Sequence, residues 1–490
     1  MLTVLARATH LSQSWEVHVD EISYLRLSQS VAEHLSVQLY GQPFYLHPPA
    51  YFFVEGAFLK LWQPGGDLIA QIYAARSVNV ALAGFTAALL VVLGWRIGGW
   101  RAAVGAGFLF ALDPFVVRMN SRTFLETSAV FWVVAGFAVL ILPTDGPRLR
   151  PRALQIVGSG VLFGLALLTK DMTAFVTLLP LGVCWVLGWC LTRRSALLVG
   201  SVAVLTYLPY PVLVWLSGDG PAFAAGKLGG LARLTGVVKI TGFRSGGPSF
   251  LQAVIANLDQ FGTTYALIAL GGIALLILLR SPSPDRRLVG IWTACAYVLV
   301  VYCAGFGTLE EQFFYYLVVP IMLALSAAAA QLWSSHRLGT AIRVAELTLA
   351  GLFVVWTGFL WTRAHFTPDN GYERVRAYLL ANVAQRVPIG ATTEPAEFLL
   401  DEYTTGLWSS IDALRAHRAE YVLISTRQVA TGYAIGSPEM FAWLRDSGQV
   451  VFSFQGPTNG TLQLVRLPAG WWSAPSNGDA TSAGADTTGR

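Results

Sequence analysis

Charge is what this sequence of 490 residues has least of. Charged side chains make up 12% of it, about half the ~25% of an ordinary soluble domain. Apolar residues make up 54%, a balance that belongs to an integral membrane protein. The net charge of +5 comes from arginines clustered between apolar runs, the pattern that membrane topology produces, so nucleic acid is not an expected partner. Cysteine is scarce as well. Cys184, Cys190, Cys295 and Cys303 lie inside apolar runs without disulfide or metal-ligand spacing, and they read as small buried apolar residues. Internal repeats of the kind transporters carry are absent. So is a long leading apolar run: Met1 to Trp15 holds a short apolar piece, too short for the ~20 residues that cross a bilayer and no signal peptide. Either a leading helix is missing from this sequence, or the first loop reaches the outer face by another route.

What is present is a series of apolar runs. Spans are expected at 71–95, 101–118, 124–143, 153–170, 172–191, 196–216, 260–280, 288–306, 313–333 and 343–362. Arginines mark one side of them: Arg96 and Arg101, then Arg148, Arg150 and Arg152, Arg193 and Arg194, Arg280, Arg286 and Arg287, and finally Arg337 and Arg343. The positive-inside rule makes that side cytoplasmic. The segments facing the other way, 20–67, 120–126, the Lys170-Asp171 turn, 217–259, 308–312 and the C-terminus, are then extracytoplasmic.

The candidate chemistry gathers on that outer side. Residues Ile22, Leu25, Ala32 and Leu35 recur at near-helical intervals while Glu33 and His34 point elsewhere, which predicts an amphipathic helix on the interface. Asp20 would be its N-cap and Glu21 would sit in its first turn, complementing the helix dipole. A second interfacial helix is expected at 48–62, after His47-Pro48-Pro49. Arg122 and Glu126 stand four residues apart at the mouth of a span. They form either an i,i+4 pair with a snorkelling arginine or part of a site, since an ionisable group at the membrane edge is costly. Lys170-Asp171 interrupts two apolar runs, as an ion pair or as a lysine aimed at an anionic headgroup. In the loop 217–259, Lys227, Arg233, Lys239 and Arg244 lie among glycines, forming a solvated loop or a lid that meets a phosphate. Glu310-Glu311-Gln312 precedes the aromatic run Phe313 to Tyr316, and aromatics at an interface are common, so the motif carries little weight.

Taken in order, Asp20-Glu21, His47-Pro48-Pro49-Ala50-Tyr51, Arg122 with Glu126, and Gly164 to Lys170 resemble the signature of glycosyltransferase family 39. That family belongs to the C-type superfamily, with the protein O-mannosyltransferases and the similar lipid A aminoarabinose transferases. The resemblance spans residues 16–335. It implies an α-helical polytopic membrane protein of the C-type glycosyltransferase fold that moves a sugar from a polyprenyl-phosphate carrier, with inversion, to an acceptor hydroxyl or phosphate on the outer face. It assigns Asp20 as the base that takes the acceptor proton, with Glu21 as its neighbouring carboxylate. Arg122 would meet the leaving phosphate with a bidentate fork. His47, Glu126 and Lys170 would line the donor site, and Arg244 would join them if the 217–259 loop closes over the phosphate. The aminoarabinose branch holds a metal through a glutamate in a Glu-Lys-Pro-Pro loop. Leu46 and His47 stand at those positions here, which counts against a zinc site while leaving a divalent metal open. A transporter, flippase or non-catalytic binder of lipid-linked sugars is the rival reading.

Four regions follow: 1–70 as a first outer loop, 71–362 as the membrane domain, 363–470 as an outer α/β domain and 471–490 as a disordered tail. Within the third, helices are expected at 372–387, 411–417 and 440–445, and strands at 420–425, 450–454 and 461–465. It carries no nucleophile elbow, phosphate loop or metal spacing. Its roles would be to cover the active-site loops or to recognise the acceptor.

Overall fold

The computed structural model describes residues 1–142, 148–238, 250–334 and 340–473. Arg244 and the 474–490 tail lie outside the described residues. The chain divides into two compact units: residues 1–15 with 20–366, and residues 16–19 with the chain from 367 onward.

The first unit is helical. Its elements are α1 (Leu2–Ala8), α2 (Val19–His34), the short hairpin β1 (Gln38–Leu39) and β2 (Gln42–Pro43), α3 (Ala50–Trp62), α4 (Leu68–Leu112), α5 (Pro114–Asn120), α6 (Leu125–Ile141), α7 (Ala153–Thr169), α8 (Leu178–Leu187), α9 (Arg193–Tyr207), α10 (Pro209–Leu216), α11 (Gly220–Leu234), α12 (Phe250–Ala256), α13 (Leu258–Leu279), α14 (Pro284–Gly305), α15 (Phe313–Trp333) and α16 (Thr340–Phe366). Among the described residues six helices are long and apolar enough to cross a membrane, or seven if α5 and α6, bent by 109°, count as one span. The protein is a multi-pass membrane protein.

Two features reconcile these helices with the ten apolar runs. The first is that α4 carries two of them and turns at Gly99, whose φ is 72°, a left-handed value that glycine adopts without a Cβ penalty. A Cβ on Gly94 would lie 2.7 Å from the Ala102 carbonyl oxygen, and one on Gly107 2.6 Å from Val91. In a straight helix Val91 and Gly107 would be about 24 Å apart, so the two arms fold back on each other. The second is that the runs at 153–170 and 172–191 fold as the shorter α7 and α8, separated by a 3-10 turn at Asp171–Phe175.

Within this bundle α15 runs through the centre, with 83% of its apolar window buried, whereas the α9–α10 window is 11% buried and faces outward. Stacking of Phe137 on Trp292 (centroids 4.4 Å apart) closes the core between α6 and α14. The arginine-rich loops meet at one end. Arg96 pairs with Asp285 at 3.2 Å, and Arg286 donates to the Ile97 carbonyl at 2.7 Å and to Gln331 at 3.1 Å. The loops bearing the candidate residues meet at the other.

The second unit holds the sheet β4-β3-β5-β7-β6, built from β3 (Pro388–Ala391), β4 (Thr404–Gly406), β5 (Tyr421–Ser425), β6 (Gln449–Gly456) and β7 (Gly460–Arg466). Strand β3 is parallel to β4 and β5, and the β5–β7 and β7–β6 pairs are antiparallel. Helix α17 (Gly371–Asn382) leads into β3, and helices α18 (Glu394–Leu399), α19 (Ile411–Ala416), α20 (Thr426–Thr431) and α21 (Pro438–Ser447) connect the strands. Residues 16–19 join this unit through Glu16. Its buried carboxylate accepts from the Tyr372 amide at 3.2 Å and from Asn459 Nδ2 at 3.3 Å, while its own amide donates to Asp369 at 3.3 Å.

Candidate functional site

The site is built on α2 and on the turn between α5 and α6. Helix α2 begins at Val19, so Asp20 lies in the first turn rather than at the cap. Its buried face carries Glu21, Ile22, Tyr24, Leu25 and Ser28. Asp20 is half-buried, and Glu21 beside it is fully buried. The two acids therefore have different surroundings. Glu21 faces Arg76 of α4, which donates Nε and Nη2 to its two oxygens at 2.9 Å each, and it also accepts from the Thr123 amide at 2.9 Å. Arg76 uses Nη1 on the carbonyls of Leu11 and Trp15. Burial alone would push the Glu21 carboxyl up, but Arg76, by charge and hydrogen bonds, and Arg122, by charge, hold it below the usual carboxylate range. Glu21 is thus a clamp between α2, α4 and the 122–124 turn.

That turn is held from α4 a second time. Asn79 Nδ2 donates to the carbonyls of Arg122 at 2.6 Å and Phe124 at 2.8 Å. Buried Arg122 sits at the bend with its guanidinium 5.7 Å from the centre of the Phe124 ring. Glu126, in the first turn of α6, does not take Arg122 as its partner here but forms a buried ion pair with Lys170 at the end of α7. Lys170 and Asp171 likewise part company. Lys170 has extended backbone (φ −154°, ψ 122°), while Asp171 starts the 3-10 turn and accepts from Tyr207 OH at 2.8 Å and Lys227 Nζ at 2.6 Å.

Around Lys170 several groups share one electrostatic neighbourhood. Its charge interacts with Glu126, Glu310 and Asp20. The Tyr24 hydroxyl, on the buried face of α2, is pushed well up by burial and then by Asp20, Glu126 and Glu310. Tyr24 lies edge-on to His47, with ring centroids 6.0 Å apart. Desolvation, followed by Lys170, Lys227 and Arg233, pushes His47 well below its ordinary value, so the imidazole is neutral at pH 7. Helix α11, which carries Lys227 and Arg233, packs against the histidine loop. Tyr45 OH donates to Asp219 at 2.8 Å, and a Cβ on Gly226 would stand 3.4 Å from Tyr45. The far end of α11 is tied down by the Thr308 amide, which donates to the Arg233 carbonyl at 3.0 Å.

The structure thus draws Asp20, His47, Glu126 and Lys170 together and sets Glu21 and Arg122 beside them. Tyr24, Arg76 and Asn79 join the site without having been singled out in the sequence. Arg76 and Asn79 did leave a signal, because an ionisable group and an amide inside an apolar run need partners. Among the described residues no three His, Cys, Asp or Glu side chains are placed to hold a metal ion. Chemically, the neighbourhood offers a part-exposed carboxylate beside fixed cations, with a neutral imidazole and buried tyrosines as walls.

Over 97% of its length the chain superposes on 98% of ArnT from Cupriavidus metallidurans bound to undecaprenyl phosphate, with a TM-score of 0.58 at 15% identity. This is the C-type glycosyltransferase fold. A second match is the archaeal oligosaccharyltransferase AglB from Archaeoglobus fulgidus, in complex with an inhibitory peptide and a dolichol-phosphate. That superposition covers 97% of this chain and 75% of AglB, with a TM-score of 0.56 at 13% identity. At such identities the likeness is one of fold. In sequence, residues 2–216 match the family of dolichyl-phosphate-mannose-protein mannosyltransferases, in line with the resemblance to glycosyltransferase family 39. No curated protein is a significant sequence match.

Proposed function

We propose that this protein is an inverting glycosyltransferase that takes a sugar from a polyprenyl-phosphate carrier and places it on an acceptor hydroxyl or phosphate at the outer face of the membrane. The observation that carries the reading is the convergence of Asp20, His47, Glu126 and Lys170 at the end of a C-type fold opposite the Arg96–Asp285 cluster.

Asp20 accepts the proton of the acceptor O–H as the acceptor oxygen attacks the anomeric carbon. The bond from that carbon to the phosphate oxygen breaks on the opposite side, so configuration inverts and the carrier leaves as polyprenyl phosphate. Lys170 and Arg122 supply fixed positive charge where the leaving phosphate gains negative charge. Such preorganised charge is most effective in a site shielded from water. Glu21 acts as a positioning residue, since its carboxylate is committed to Arg76 and to the Thr123 amide. Neutral His47 lines the donor side and can hydrogen-bond a sugar or phosphate oxygen without adding charge.

The test offers vesicles containing the full-length protein a panel of radiolabelled polyprenyl-phosphate sugars, with product identification by mass spectrometry. Label on an acceptor, lost in Asp20→Asn, supports the reading. Label carried across the bilayer and never attached to an acceptor would instead make the protein a flippase.

A further inference from the structure

One buried acid beside the site has no part in the proposed reaction. Glu55 lies on α3 with 0% of its surface exposed, and its Oε2 accepts from the Ser28 hydroxyl of α2 at 2.7 Å. Its Oε1 has no hydrogen-bond partner among the described residues. A carboxylate ion in that position would be stripped of water, with a single donor to meet two charged oxygens. The neutral acid is the form that fits. Burial pushes the Glu55 carboxyl up from 4.5, the Ser28 hydrogen bond draws it back and the charge of Glu21 raises it again, to about 8.

The packing around this acid leaves it no route to water. A Cβ on Gly56 would stand 2.8 Å from the Ser28 carbonyl oxygen and 3.0 Å from Val31 Cγ1, so α2 and α3 meet backbone to backbone next to Glu55. On its other side α3 exposes Phe53, Leu61 and Trp62 by 42%, 88% and 59%, an apolar face that suits a membrane interface. The charged and titratable groups around Glu55 come from four elements. Glu21 faces it from α2 and is itself held by Arg76 of α4 at 2.9 Å. Tyr51, one turn earlier on α3, interacts with Glu55, with Glu21 and with Glu126 of α6, which is paired with Lys170 at the end of α7. Burial, and then those acids, push the Tyr51 hydroxyl well above its ordinary value, so it stays neutral where Glu55 ionises. An ionised Glu55 would set a second negative charge against Glu21, the residue that ties α2 to α4. Ser28 lies about two turns along α2 from Asp20, roughly 12 Å, so a displacement there reaches the proposed base.

We propose that the protonated Glu55 carboxyl positions α2, and with it Asp20, through Ser28, and that its ionisation releases α2 and halts transfer. This rests on Asp20 serving the transfer reaction proposed above, and it adds an alkaline limit set by a residue that touches no substrate.

The experiment follows transfer from a radiolabelled polyprenyl-phosphate sugar, and amide hydrogen exchange, in the full-length protein in vesicles between about pH 6 and 10. Wild-type transfer is expected to fall about tenfold per pH unit above the Glu55 transition. Glu55→Gln, uncharged at every pH, should hold its rate level across that range. Glu16→Gln, which removes the acid of the C-terminal unit that is also pushed up to about 8, should keep the wild-type decline. In the wild type the amides of α2 should lose at least about tenfold of their protection through the transition, beyond the intrinsic rise of exchange with pH, while those of α4 keep theirs. A decline that survives Glu55→Gln, or protection of α2 that does not change with pH, would overturn the proposal and leave the transferase reading intact. Absence of transfer at every pH would overturn both. The exchange measurement needs no variant, so an unchanged α2 sinks the proposal even if Glu55→Gln fails to fold.

Discussion

Adjacent acids at the start of α2 should separate cleanly when each is replaced by its amide. Glu21→Gln places a neutral group opposite Arg76, whose side chain, like that of Glu21, has 0% exposure. Removing one charge from such a pair typically costs about 3–5 kcal/mol, because the remaining ion stays buried without compensation. A folded unit of ~350 residues at about 2.1 cal/mol/K per residue has an unfolding entropy near 0.7 kcal/mol/K, so the melting temperature should fall by on the order of 5 °C. Asp20→Asn is made at a half-buried position and should cost at most about 1 kcal/mol, while loss of a general base should slow transfer roughly 100- to 10,000-fold. Both variants are followed by intrinsic tryptophan fluorescence on heating and by sugar transfer. Acid supplies a second readout. The Glu21 carboxyl is held below its ordinary value of 4.5, so its contribution to stability is complete above that value and is lost as the pH falls through the lower folded one. Glu21→Gln should remove this acid-sensitive part of the stability profile. The pairing Glu21→Gln with Arg76→Met should recover part of the lost stability. Abolished transfer by Glu21→Gln at an unchanged melting temperature would refute the clamp, and full transfer by Asp20→Asn would refute the base.

Lys170→Met should destabilise the protein by about 3–5 kcal/mol, because it leaves Glu126 buried and unpaired. Adding Glu126→Gln should restore melting but not transfer, with a rate deficit on the order of a hundredfold if the lysine charge serves the leaving phosphate. Arg122→Lys keeps the charge and loses the planar fork, so transfer should fall while the melting temperature changes little; an unchanged rate would remove Arg122 from the phosphate site. In the C-terminal unit, burial and then Asp369 push the Glu16 carboxyl up from 4.5 to about 8. The folded state then keeps a proton that the unfolded chain has released. Its stability should therefore fall as the pH rises between those two values, by up to about 1.4 kcal/mol per pH unit. Glu16→Gln should flatten that slope in pH-dependent melting curves, and a wild-type profile already flat from pH 5 to 8 would refute the assignment.

The parts of this structure that depend on local pattern were readable in advance. Apolar runs marked most helices of the bundle, whereas α11 and α12 lie in the 217–259 segment expected to be a loop. The apolar run at 420–425 marked β5, the stretches 450–454 and 461–465 fall on β6 and β7, and Ile411 to Ala416 and Met440 to Arg445 lie on helices as expected. Strands β3 and β4 went unread because Pro388–Ala391 and Thr404–Gly406 are short and hold proline, glycine and threonine rather than an alternating apolar set. Within the site, residue types were legible and partners were not. Glu126 has Arg122 four residues away in sequence, yet the bend between α5 and α6 separates the helical register on which an i,i+4 pair depends, and Lys170 takes the carboxylate instead. Glu21 looked like a helix-start acid because Arg76 stands 55 residues further on. The membership of residues 16–19 in the second unit rests on contacts with Tyr372 and Asn459, which no local pattern encodes.

The two lysines of the site are held in ways that suit different tasks. Lys170 and Glu126 are nearly inaccessible, with side-chain exposures of 6% and 2%. Moving that ammonium onto a substrate would strand a buried carboxylate, so in the proposed reaction Lys170 would act as a fixed source of field that need not reorganise. Lys227 and Asp171 are exposed by 22% and 42%, and a pair so accessible to water is worth about 0–1 kcal/mol. Lys227 can therefore exchange Asp171 for a phosphate at little cost, while Tyr207 keeps its hydrogen bond to the aspartate left behind. A lipid-linked donor of the kind proposed, which would bind, lose its sugar and leave again, would need such an exchangeable contact as well as a fixed one. Two fixed pairs would bind the product phosphate as firmly as the donor, and two exchangeable ones would leave the transition-state charge without a preorganised partner.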